Sequence, residues 1–91
     1  MGIRDFIRYL EEHEEKAQRA GELSPEERRE TLHQAELMVG MADQAVKYLE
    51  SVLVNRRVNL NEEHALRFAQ DVFLYLKDRE EKVKERLSEG S

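Results

Sequence analysis

The sequence predicts an all-α fold: a three-helix bundle in which a short first helix packs on a longer antiparallel helical hairpin, all in one domain over residues 1–91. Three observations carry this reading. Apolar residues recur at helical spacing in three separate stretches. Ser24-Pro25-Glu26-Glu27 is a helix start signal, with an N-cap Ser, Pro at the first helical position and Glu at the third. The segment Asn55-Arg-Arg-Val-Asn-Leu-Asn61 reads as a turn between the second and third stretches.

The first helix is expected over about residues 2–20. Ile3, Phe6, Ile7, Leu10 and Ala17 keep helical phase, and Gly21 is a natural stop. The second is expected over about 25–56, its stripe running through Leu32, Ala35, Met38, Val39, Ala42, Ala45, Val46, Leu49, Val52 and Leu53. The phase holds across Gly40, which favours one long helix over a break there into two short ones. The third is expected over about 61–88, capped by Asn59 or Asn61, with Ala65, Leu66, Phe68, Ala69, Val72, Phe73, Leu76, Val83 and Leu87 as its apolar positions. Gly90-Ser91 has the look of a frayed tail or an expression scar.

Short connections make neighbouring helices antiparallel. Ile3 then falls level with about Asp43 and about Tyr75, and the hairpin extends roughly 20 Å beyond the start of the first helix. That overhang is the apolar part of the chain, whereas the end shared by all three helices is polar. The expectation is an uncovered face at residues 44–58 and 60–75. Tyr48, Leu49, Val52, Leu66, Phe68 and Val72 form its contact core, and Arg56, Arg57 and Arg67 its rim. The competing reading has Tyr48 and Phe68 fold back and close the seam.

Composition narrows the function classes. The net charge of −5 arises entirely within residues 1–43, which hold eleven acids and six bases, while residues 44–75 carry four of each. An acidic chain without a basic stripe argues against a nucleic-acid partner. No apolar run approaches a membrane span, the N-terminus lacks a signal-peptide pattern, and there is no Cys for disulfides or thiolate metal sites. A cytoplasmic protein-interaction module is expected, with a homodimer or another protein as partner, no cofactor and no enzymatic activity. The clean caps, the Gly-Ser end and the absence of Cys suit a de novo designed chain as well as a natural one.

Two alternatives rest on histidine. His13 and His33 fall at one height on adjacent helices, where Glu14, Glu30 or Glu36 would complete a metal or small-ligand site. Otherwise both flank the apolar face. Glu30-Thr-Leu-His33 resembles one ligand pair of the ferritin-like di-iron bundles, which need two such pairs and two further Glu residues, and no second pair is present. His64-Ala-Leu-Arg67 resembles the active stretch of histidine phosphotransfer domains. That resemblance implies phosphoryl transfer at His64, but it spans only four or five residues, and Phe68 stands where the family has a small residue.

Overall fold

The structure, a computed structural model, describes residues 2–88, and at Ile3 the backbone alone; Gly90-Ser91 lies outside the described residues. Helix α1 spans Ile3–Gln18, a single 3-10 turn follows at Ala20–Glu22, α2 spans Pro25–Asn55 and α3 spans Leu60–Ser88. The three helices form the expected bundle, 50 × 19 × 19 Å, with α1 lying on the α2–α3 hairpin.

The termini are set locally. Ser24 Oγ accepts the Glu27 backbone N–H at 3.1 Å, and Pro25 occupies the first position of α2, where no amide proton is missed. Of the two candidate caps for α3, Asn59 serves: its Oδ1 accepts the Glu62 N–H at 2.8 Å and its amide donates to the Glu62 carboxylate at 2.6 Å. Glu62 and Glu63 thus stand at the positive end of the helix. Helix α2 is unbroken through Gly40, which is exposed and has open space where a Cβ would project. Gly40→Ala is therefore expected to stabilise the fold by about 0.5–1 kcal/mol through lost freedom of the unfolded chain. Thermal unfolding followed by circular dichroism checks this as a rise in midpoint.

The buried residues follow one rule. Among the described residues each helix contributes four, spaced four, three and four apart: Phe6, Leu10, His13 and Ala17 from α1; Thr31, Ala35, Met38 and Ala42 from α2; Leu76, Glu80, Val83 and Leu87 from α3. This spacing keeps one narrow seam facing inward over three turns. Two apolar clusters result. Phe6, Leu10, Met38, Ala42 and Leu76 form the first, with the Phe6 and Phe73 rings edge to face at 6.5 Å. Ala17, Ala35, Val83 and Leu87 form the second, flanked by Ala20, Leu23 and Leu32. His13 and Glu80 lie between them in the heptad order.

The shared end is held partly by guanidinium groups on helix carbonyls. Arg28 donates to the carbonyls of Ala20 and Leu87, and Arg86 Nε donates to the Ala17 carbonyl at 3.1 Å. Two of these carbonyls lie at the C-terminal ends of α1 and α3, where the helix runs out of backbone N–H donors, and the third lies in the turn between α1 and α2. A polar surface there coexists with a packed interior, which the scarcity of apolar residues in 11–19 had hidden.

Helix α1 is held to both members of the hairpin: His13 reaches Gln34 on α2 and Glu80 on α3, and Phe6 meets Phe73.

Candidate functional site

The bundle is complete at one end only. Helix α2, with 31 residues, is about 46 Å long, and α1, with 16, about 24 Å. From Asp43 through Tyr75 not one residue is fully buried. Two helices alone can shelter one stripe apiece, and these segments are apolar over more than that.

Helical periodicity locates the uncovered surface. On α2 the side facing α1 is marked by Gln34, which bonds to His13, and by Met38, which packs on Phe6 and Leu10. Steps of seven residues from these two lead to Met41, Ala45, Tyr48 and Val52. On α3 the side facing α1 is marked by Arg79, paired with Glu14 at 2.6 Å, and by Arg86. The same stepping, with Tyr75 one turn before Arg79, gives Val72, Tyr75, Phe68 and Ala65. These residues prolong the track on which α1 lies, past the point where α1 begins.

Tyr48 is 63% exposed and Phe68 71%, so neither folds back to close the seam. Leu49, Val52, Leu66 and Val72 are half-buried, and Val72 packs against the first apolar cluster. An open groove at the far turn brings Val52 and Leu66 together with Arg56 and Arg57. Arg67 stands at the edge, engaged with Glu63 at 3.1 Å. Gln70 donates to Glu50 at 2.9 Å and toward the Val46 carbonyl, fixing α2 against α3 beneath this surface. Lys77 and Asp43, 2.9 Å apart, mark its inner limit: their bond is the main reason that the Asp43 carboxyl lies below, and the Lys77 ammonium above, its usual range.

The histidines divide differently from the sequence expectation. His33 and its partner in the Glu-x-x-His pair, Glu30, are both exposed. His13 is not an edge residue but is 1% exposed, with Glu80, 0% exposed, against its ring. Its Nδ1 lies 2.9 and 3.2 Å from the two Glu80 carboxylate oxygens and its Nε2 3.3 Å from Gln34 Oε1, while Tyr9 stacks alongside at 6.4 Å. Both ring nitrogens are thereby engaged by protein groups. Among the described residues no group of three or more His, Asp or Glu side chains is arranged to hold a metal ion. His64 is exposed in the first turn of α3, with the exposed Phe68 ring one turn on.

Glu80 is the site residue that sequence reasoning missed, and a signal existed. It occupies a stripe position of α3, between Leu76 and Val83, as His13 does between Leu10 and Ala17 on α1. Two opposite ionisable groups in phase with two apolar stripes are a sequence sign of a buried pair.

Among the described residues no helix is long and apolar enough to cross a membrane. The chain matches no protein-family model, no curated protein and no solved structure.

Proposed function

We propose that this chain is a protein-interaction module that self-associates, two copies apposing their open tracks about a two-fold axis to make a four-helix core. The observation that carries the reading is the run from Asp43 to Tyr75 without a buried residue, with Tyr48 and Phe68 outermost on the side α1 leaves open. A two-fold pairing places the same patch on both partners, so each aromatic ring meets apolar surface. Four aromatic side chains buried at about 1.5–3 kcal/mol each give about 6–12 kcal/mol, the same size as the roughly 4–15 kcal/mol lost on association. The half-buried Leu49, Val52, Leu66 and Val72 add to the favourable side. Residues 44–75 carry four acids and four bases, so two such surfaces meet without net repulsion. Arg56, Arg57 and Arg67 form the rim, and no catalytic step belongs to this reading.

Light scattering across a dilution series tests it. The expected mass is that of two chains at high concentration, falling to one on dilution. Phe68→Asp is expected to remain a single chain throughout with unchanged helicity, since Phe68 is too exposed to support the isolated fold. A parent protein that stays a single chain at high concentration overturns the proposal, as does a Phe68→Asp variant that keeps the parent's assembly.

A further inference from the structure

The buried pair lies at the middle of α1, the helix with the smallest share of the core. Helices α2 and α3 run beside one another for most of their lengths, whereas among the described residues α1 is held by the buried Phe6, Leu10 and Ala17, by His13, and by exposed or edge contacts such as Glu14–Arg79. His13 Nδ1 faces the two oxygens of Glu80 and Nε2 faces the Gln34 carbonyl oxygen. The carboxylate beside Nδ1 can only accept, so Nδ1 carries a proton, and the Gln34 carbonyl oxygen toward Nε2 suits a ring that donates from both nitrogens, the imidazolium form. We propose that α1 is a pH-gated strap, fastened to the hairpin by the buried His13 imidazolium–Glu80 carboxylate pair and loosened when the ring gives up a proton.

The surroundings of His13 define the gate. From α3 the facing ionisable group is Glu80; from α2 there is neutral Gln34, with the buried Thr31 one turn before it; on α1 Tyr9 stacks on the ring and Lys16 contributes an opposing charge. Burial pulls the imidazole pKa down. The Glu80 hydrogen bond and charge, helped by the Gln34 bond, outweigh burial and Lys16, and the net pKa is raised above the ordinary 6.5. A group with a raised folded-state pKa gives its full stabilisation below the unfolded value and loses it as pH rises through the folded value. The strap is therefore fastened at pH 6 and below the ring's own midpoint, and slackens above it. The proton leaves from Nε2 to solvent base, because Nδ1–H stays bonded to the carboxylate. The Gln34 amide must then turn to offer its N–H to the bare nitrogen. The Glu80 side chain is then left in a dry position with no cation against it, a costly arrangement that lifting α1 relieves.

Two measurements on the full chain, at a dilution where it is a single species, test this. The His13 ring titration, followed by proton NMR on the parent protein, is expected to have a midpoint above 6.5. Amide hydrogen exchange between pH 6 and 9, corrected for its intrinsic rise with pH, is expected to show α1 protection falling while the α2–α3 seam stays protected. The limiting fall is about tenfold for each unit by which the ring midpoint exceeds 6.5. Glu80→Gln keeps shape and hydrogen bonding without the charge and should abolish that fall. A ring midpoint at or below 6.5, or α1 protection that tracks α3 across the range, overturns the proposal; the parent protein alone supplies both readings if the variant does not fold. Failure of the self-association reading leaves these outcomes unchanged, because they are read on the single chain.

Discussion

His13→Ala is expected to lower the unfolding free energy by about 3–5 kcal/mol, measured by urea unfolding at pH 6. The whole stability of a domain is about 5–15 kcal/mol, so this change threatens the fold. The cost does not come from a lost attraction alone. Glu80 is 0% exposed, and with the imidazolium gone its carboxylate stays out of water with no cation against it. The surface pair Glu14–Arg79, for all its short contact, is worth about 0–1 kcal/mol, because both side chains keep access to solvent. The control is the double variant His13→Leu with Glu80→Leu. Removing both charges and joining the two apolar clusters is expected to recover most of the loss or to exceed the parent. A single variant within about 1 kcal/mol of the parent would show that the pair is not dry.

Leu10→Ala is expected to cost about 2–5 kcal/mol, the usual penalty for emptying a filled core position. Leu10 is 2% exposed and packs with Phe6, Met38 and Leu76 where all three helices meet. Leu49→Ala removes the same atoms from the half-buried seam of the overhang, where solvent already reaches the side chain. In dilute solution its cost is expected to be well below that of Leu10→Ala. At concentrations where copies pair, the two costs should converge, since the proposed interface shelters Leu49 as the bundle shelters Leu10. Chemical unfolding of both variants at two protein concentrations separates these cases. Equal costs in dilute solution would mean that the overhang is already as dry as the core.

Much of the fold is legible in the residues. Helical spacing, the Ser24-Pro25 start and the Asn-rich turn locate three helices to within a residue or two. The phase of α2 across Gly40 also survives in the structure, because an exposed Gly with helical neighbours on both sides costs little. Loop geometry places α1 against the hairpin but does not say which side chains meet across it: the His13–Glu80 and Phe6–Phe73 contacts depend on helix rotation, which no loop states. The polar end is misleading from residue types. His13, Thr31 and Glu80 count as polar in a tally, yet they fill inward positions that only the four-three-four spacing marks. The exposed positions of Tyr48 and Phe68 follow from arithmetic on helix lengths, which needs no side-chain detail.

Helix α2 turns a thin edge to its neighbours. Three of its four inward residues are Thr31, Ala35 and Ala42, with Met38 as the single bulky one, and Met is the most adaptable of the large apolar side chains. A rail so smooth has few notches, and α1 sliding along it by two turns would meet little steric objection. Beside the short connection to α2, the ionic rung denies that slide: moved by seven residues, His13 would leave Glu80 stranded beside Phe6 or Ala20. Alignment thus rests on a short connection together with one acid and one base, while the hydrocarbon supplies adhesion.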